Sequence, residues 1–136
     1  MPTKEAPKSV GLNVADDQLH LASLVAAMNR VQALIEFDLT GRVLAANENF
    51  LALMGYELSE IQGQHHRMFC ASDYTKTEAY AEFWRFLQSG QFRTGEFKRV
   101  TKAGREIWIQ ASYNPIFNAA GDIVKIVKFA TDITET

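Results

Sequence analysis

The feature that most constrains the fold is the last third of the chain, where β-prone runs alternate with short turns that contain glycine. The runs cover residues 95–101, 106–117 and 123–131, and residues 102–104 and 118–122 separate them. Turns of this length join neighbouring antiparallel strands, because a parallel connection needs a dozen or more residues. The pattern therefore predicts three strands in an antiparallel meander.

An earlier hairpin and a set of helices complete the predicted architecture. Two short β-prone runs, 34–38 and 42–46, flank a turn in which Gly41 supplies the positive φ. Apolar residues at helical spacing predict short helices after Asn47 and a longer helix over 75–88. We therefore expect an α+β fold, in which short helices lie on one side of a five-stranded antiparallel sheet and enclose a cavity.

The N-terminal part of the chain differs from the rest. Residues 1–15 are predicted to form a flexible leader, and 16–32 an amphipathic helix ahead of a domain over 33–136. The apolar stripe of this helix consists of Leu21, Leu24, Val25, Met28 and Val31. One such stripe serves either of two purposes, packing on its own domain or pairing with a second copy, and we expect a homodimer.

Composition excludes several classes of function. The 136 residues carry a formal net charge of −2, which does not favour nucleic acid or an anionic membrane as partner. One cysteine, Cys70, and the absence of an apolar run of about 20 residues favour a cytoplasmic domain without direct membrane contact. No glycine-rich phosphate loop or catalytic constellation is evident, so we do not expect an enzyme.

Two groups of residues resemble a known family. They are Asp38-x-x-Gly41-Arg42-Val43-x-x-Ala46-Asn47-x-x-Phe50 with Gly55-Tyr56-x-x-Ser59-Glu60-x-x-Gly63, and Asn114-Pro115-Ile116 with Gly121 and Asp132-Ile133-Thr134. In this order they resemble a PAS domain over about residues 33–136. The closing group is most similar to the cytoplasmic PAS modules of bacterial methyl-accepting chemotaxis proteins.

The resemblance implies a function as well as a fold. A PAS module of this kind is a sensor of redox state, oxygen or a small ligand, through a group bound in its cavity. The resemblance further implies that the signal leaves through the linker at Asp132 and Thr134 toward a signalling domain of the same polypeptide. The alternative is a cofactor-free module that dimerises or binds a partner.

The candidate cofactor residues begin with a histidine pair. In blue-light flavin members of the PAS superfamily, the positions of His66 and Arg67 carry a reactive cysteine and a phosphate-binding arginine, so the cysteinyl photoadduct is lost here. Heme b would instead take His66 as the axial ligand of its iron, or His65 if that ring is the inward one, with Arg67 on a propionate.

FAD is the second candidate cofactor, and an empty domain is the third alternative. Trp84 resembles the tryptophan of FAD-binding redox sensors of the PAS superfamily. Arg99, Ile109 and Ala130, however, replace the amide side chains with which flavin-binding relatives hold the edge of the ring. In an empty domain, both histidines are structural residues.

Residues 106–114 predict which face of the sheet meets the cavity. Strand alternation places Ile107, Ile109, Ala111 and Tyr113 on the inner face. It places Trp108 on the outer face, where we expect an apolar patch together with Phe97 or Phe129 and, against it, the N-terminal helix or a partner subunit.

Overall fold

The computed structural model describes residues 14–134, which form two compact units divided after Val31. Helix α1, Val14–Val31, belongs to the first unit. It begins two residues before the predicted start. The first 13 residues of the predicted leader lie outside the described residues.

The second unit follows the predicted order of elements. Its strands are β1 (Ala33–Phe37), β2 (Val43–Ala46), β3 (Arg93–Val100), β4 (Glu106–Phe117) and β5 (Ile123–Asp132). Between β2 and β3 lie the helices α2 (Glu48–Met54), α3 (Leu58–Ile61), α4 (Ser72–Thr75) and α5 (Glu78–Gln88), with a 3₁₀ turn over His66–Phe69. Among the described residues, no helix combines the length and the apolar character that crossing a membrane requires.

The strands form one antiparallel sheet in the order β2-β1-β5-β4-β3. The predicted meander of β3, β4 and β5 and the predicted β1–β2 hairpin are both confirmed, and β5 joins them by pairing with β1. Gly41 has a φ of 92° at the hairpin turn, in the left-handed region that glycine adopts without strain.

Side-chain caps fix the ends of the helices. The carboxamide oxygen of Asn47 accepts from the backbone N–H of Phe50 and of Leu34, each at 2.9 Å, and thereby ties the start of α2 to β1. The helix predicted over 75–88 begins three residues later, as α5, because Thr77 caps it by accepting from Tyr80 N–H at 3.2 Å.

Side chains of the sheet and the helices pack together into one buried core between them. The inner face of β4 is the predicted one, whereas Trp108 is 47% exposed on the outer face. The prediction that Phe97 joins Trp108 is wrong, since Phe97 lies on the inner face, where its ring contacts Phe83 and Tyr113. The largest fully buried apolar side chains are Tyr113, Phe37, Phe50, Phe69, Ile35, Ile61, Leu87, Ile107, Ile109 and Ile126.

Candidate functional site

The segment that carries both histidines is held against the β1–β2 hairpin. The backbone N–H of Val43 donates to the carbonyl of Gln64, and that of His66 donates to the carbonyl of Gly41, each at 2.8 Å. A bridge between Arg42 and His65 continues the pairing. The hairpin therefore sets which histidine faces the interior.

His65 is the outer of the two histidines. It is half-buried, and its Nδ1 accepts from the backbone N–H of Arg67 at 3.0 Å, which caps the 3₁₀ turn. A Cβ at Gly41 would lie 2.7 Å from its Nε2, so the ring packs where only glycine leaves room. Burial and the nearby Arg67 lower the pKa of His65.

His66 is the inner histidine and is fully buried. Its Nδ1 lies 2.8 Å from the Tyr80 hydroxyl and its Nε2 lies 3.0 Å from the Tyr113 hydroxyl. Either neutral tautomer satisfies both bonds, because a hydroxyl can donate as well as accept. The Sγ of Cys70 lies 3.7 Å from the same Nδ1.

Arg99 extends this hydrogen-bonded group toward β3. Its Nη2 donates to the Tyr113 hydroxyl at 2.9 Å, and its Nη1 donates to the carbonyl of Lys98 at 2.8 Å. We call Tyr80, His66, Tyr113 and Arg99 the polar cluster. It joins α5, the 3₁₀ turn, β4 and β3 across the interior.

The polar cluster is kept in one protonation state by its surroundings. Burial holds the pKa of His66 well below its ordinary value, and the positive charges of Arg99 and Lys128 lower it further. Burial raises the pKa of Tyr113 to about 12, although Arg99 opposes the rise. Burial also raises the pKa of Tyr80. At neutral pH the imidazole and both phenols are therefore uncharged.

Lys128 is a second buried cation beside the polar cluster. It is 1% exposed, and its Nζ lies 5.0 Å from the centre of the Tyr113 ring and 5.9 Å from that of Phe50. Burial and the charge of Arg99 hold its pKa well below the ordinary value. Among the described residues, no ion pair joins Lys128 or Arg99 to a carboxylate.

The predicted cofactor residues are only partly brought together. His66 and Trp84 lie in contact, with ring centres 5.4 Å apart, and Ile109 and Ala130 belong to the same buried core. Arg67 is exposed. The Trp84 indole N–H lies near the Tyr80 hydroxyl, but it makes no well-formed hydrogen bond with any described residue.

Sequence reasoning missed most of the polar cluster. Tyr113 was expected on the inner face of β4, and Arg99 only as the loss of a flavin contact. The sequence contained one usable signal, which was the position of Lys128 in the alternation of β5. Lys128 lies between Ile126 and Ala130 on the inward face of β5, where a cation is unusual.

In this arrangement the residues do not fit heme b with His66 as the iron ligand. Both ring nitrogens are engaged by phenol hydroxyls, so neither is free for a metal. The Tyr80 and Phe83 rings lie nearly parallel to the imidazole, with interplanar angles of 17° and 27°. No group of three or more potential metal ligands occurs within the part of the chain that is described.

The fit to FAD is also poor. Ile109 and Ala130 offer no hydrogen-bonding side chain to a flavin ring, and Arg99 is bound to Tyr113. The Trp84 ring packs edge-on against Phe37, with ring centres 5.7 Å apart.

The end of β5 forms an ordered junction with β4. The backbone N–H of Ile133 donates to the carbonyl of Trp108, and that of Trp108 donates to the Thr134 hydroxyl, each at 2.9 Å. A carboxylate oxygen of Asp132 accepts from the Thr134 N–H at 2.9 Å, and this bond helps to lower the pKa of Asp132. The residues predicted as the signal linker are thus fastened to the strand that carries Tyr113.

The stripe predicted for dimerisation lies on α1. Leu21, Leu24, Val25 and Val31 are exposed, and Met28 is half-buried.

Comparison with known proteins identifies the class to which this fold and site belong. A family model described as the PAS fold matches residues 43–130. Because this match covers more than half of the chain, the chain belongs to the PAS family. A crystal structure of the PAS domain of a Colwellia psychrerythraea protein superimposes with a TM-score of 0.72 at 24% identity, over 86% of this chain and 99% of that one.

Similarity to two curated proteins indicates which kind of PAS domain this chain resembles. The chain is 44% identical over 122 residues to the biofilm dispersion protein BdlA of Pseudomonas aeruginosa, covering 90% of this chain and 29% of that protein. It is 35% identical over 79 residues to the aerotaxis receptor of Escherichia coli, covering 58% of this chain and 15% of the receptor. The chain thus spans less than a third of the length of these curated relatives. It is a PAS sensory domain similar to those of chemotaxis-type proteins.

Proposed function

We propose that this chain is the sensory domain of a bacterial signalling protein of the chemoreceptor type. In this proposal, a small group bound in the interior changes the polar cluster, and the change reaches a signalling domain of the same polypeptide through Asp132 and Thr134. The similarity to the aerotaxis receptor supports oxygen or redox state as the stimulus. A catalytic role is not part of the proposal.

One observation carries this proposal: the polar cluster and the junction share β4. The Tyr113 hydroxyl is hydrogen-bonded to His66 and accepts from Arg99, and Trp108 on the same strand holds Ile133 and Thr134. A ligand can shift an equilibrium only if it interacts differently with the two states. A group that competes for the Tyr113 hydroxyl meets this requirement, because it replaces a bond on the strand that holds the junction.

Heme b and FAD are two candidates for the bound group, and each would require a change in the site as described above. Heme b would require His66 to exchange a phenol partner for iron, and FAD would require hydrogen bonds that the side chains of Ile109 and Ala130 cannot supply. An absorption spectrum of the purified protein, recorded before and after dithionite, tests both. A Soret band that vanishes in His66→Ala would support heme, and flavin bands that bleach on reduction would support FAD.

A receptor chimera tests the sensory function. The matching segment of the aerotaxis receptor is replaced by this chain, either unchanged, with Tyr113→Phe, or with Tyr56→Phe as the matched control. The Tyr56 hydroxyl makes no hydrogen bond among the described residues. We expect Tyr113→Phe to shift the swimming bias and Tyr56→Phe to leave it unchanged. Equal bias in all three chimeras would contradict the proposal.

A dimerisation module is the second candidate function, and the exposed stripe on α1 favours it. Leu21 and Leu24 are 60% and 48% exposed, which is unusual for large apolar residues at helical spacing. We expect the double variant Leu21→Glu/Leu24→Glu to halve the molar mass measured by light scattering. Ser23→Glu, on the same helix, is the control. A mass that stays the same in the double variant would exclude α1 as the interface.

A further inference from the structure

A cleft lies between the edge strand β3 and the segment that contains α4. Its volume is about 310 Å³, at the small end of ligand sites. Ala71, Tyr74, Phe97, Arg99 and Trp108 line it, together with the exposed side chains of Glu96 and Lys98. The cleft therefore reaches from the surface to Arg99, one end of the polar cluster.

Arg99 is a buried cation with donor capacity to spare. It is 2% exposed, its guanidinium lies 5.0 Å from the centre of the Phe97 ring, and its two bonds leave the Nε–H without a partner among the described residues. Nε and Nη2 form one edge of the guanidinium. This edge matches the two oxygens of a carboxylate.

The charge of this region is not balanced by the chain itself. Arg99 and Lys128 are both buried, and the described buried polar residues include no acid. An unpaired buried charge is costly unless something offsets it. Aromatic rings and the Tyr113 hydroxyl offset part of the cost, and an anion in the cleft would offset more.

We propose that this cleft binds a small carboxylate, whose oxygens contact Nε and Nη2 of Arg99 and whose apolar part packs on Phe97 and Tyr74. The inference rests on the proposed sensory function, because it assigns the ligand class of the same polar cluster. Glu96 and Lys98 at the rim carry opposite charges, so the rim itself does not select among anions. The apolar side chains that line the cleft favour an organic carboxylate over inorganic phosphate. Binding pulls Arg99 toward the cleft and weakens its bond to Tyr113.

The test is calorimetric titration of the full chain at constant ionic strength. Pyruvate and acetate are the carboxylate probes, and inorganic phosphate, succinate and chloride are the comparison anions. We expect pyruvate or acetate to bind, and Arg99→Lys to weaken the binding by about tenfold or more, because lysine keeps the charge but loses the planar edge. Arg93→Lys, an exposed arginine on the same strand, is the matched control and should bind as the unchanged chain does.

A second measurement avoids dependence on a variant that fails to fold. In ¹⁵N-labelled protein, the Arg99 Nε–H resonance should shift on addition of pyruvate or acetate, and the Arg93 resonance should stay in place. An unmoved Arg99 resonance, unchanged affinity in a folded Arg99→Lys variant, or binding of phosphate alone would overturn the inference. These results are independent of the chimera. Equal swimming bias in all three chimeras contradicts the sensory function. Absence of carboxylate binding in the titration contradicts only the proposed ligand class.

Discussion

The interior of the domain has two halves of different chemistry. Where α2 and α3 pack over β1 and β2, the buried side chains are apolar: Ile35, Val43, Phe50, Met54 and Ile61. Where the 3₁₀ turn and α5 pack over β3 and β4, the interior contains the polar cluster. The first half stabilises the fold by removing apolar surface from water. The second half buries hydrogen-bonded groups that an apolar core would exclude.

Lys128 lies at the boundary between the two halves. Its Nζ is near the Phe50 ring on one side and the Tyr113 ring on the other. Its position on β5 is an inward one that an apolar side chain could fill. The comparison between the halves can therefore be tested by substitutions in each half and at this boundary.

The largest effect is expected in the apolar half. Phe50→Ala removes a ring that is 1% exposed and contacts Phe69 at 5.2 Å. We expect it to lower the free energy of unfolding by about 3–5 kcal/mol, because the lost burial and the cavity add together. Urea unfolding followed by circular dichroism measures the change. A loss below about 1 kcal/mol would mean that this half is not the stabilising one.

At the boundary, Lys128→Met should stabilise the fold, in contrast to Phe50→Ala. Methionine keeps the length of the side chain and removes a buried amine that has no carboxylate partner among the described residues. We expect the free energy of unfolding to rise by about 1–4 kcal/mol. Lys125→Met is the control on the same strand, since Lys125 pairs with Glu36 at 2.8 Å and is half-exposed. Destabilisation by Lys128→Met would show that the cation supports the fold.

The smallest effect is expected in the polar cluster and depends on pH. Because the pKa of His66 in the folded domain lies well below its ordinary value of 6.5, the unfolded chain takes up a proton first as the pH falls. Stability should therefore decrease as the pH drops below about 6.5. His66→Gln should remove most of this dependence and, by leaving a hydroxyl without its partner, lower stability at neutral pH by about 1–3 kcal/mol.

His65→Gln is the matched control for that prediction. The His65 ring is half-buried, so its removal should change the pH dependence less than removal of His66. Urea unfolding at several pH values gives both comparisons. An equal pH dependence in the unchanged chain and in His66→Gln would contradict burial of a neutral His66.

The elements of the fold could be predicted because their signals are local. The turn at Gly41, the cap at Asn47 and the alternation in β4 each follow from a few neighbouring residues. The later start of α5 was missed, because helical spacing runs through residues 75–88 and only the Thr77 cap marks the start at Glu78.

The site was harder to predict, because its bonds join distant parts of the chain. His66 and Tyr113 are 47 residues apart, and their contact follows from the packing of the 3₁₀ turn on β4. Two adjacent histidines gave no means of choosing the inner one until the hairpin contact at Gly41 was known. Phe97 and Arg99 share the inward face of β3, which the alternation in β4 alone could not assign.

The central claim is that the polar cluster is coupled to the junction between β4 and the end of β5. Hydrogen exchange at this junction tests the claim most directly. Mass spectrometry would follow the backbone amides of Trp108, Ile133 and Thr134 in the unchanged chain, in Tyr113→Phe and in Tyr56→Phe. The account predicts severalfold faster exchange in Tyr113→Phe and unchanged exchange in Tyr56→Phe. Junction exchange that is the same in all three proteins would contradict it.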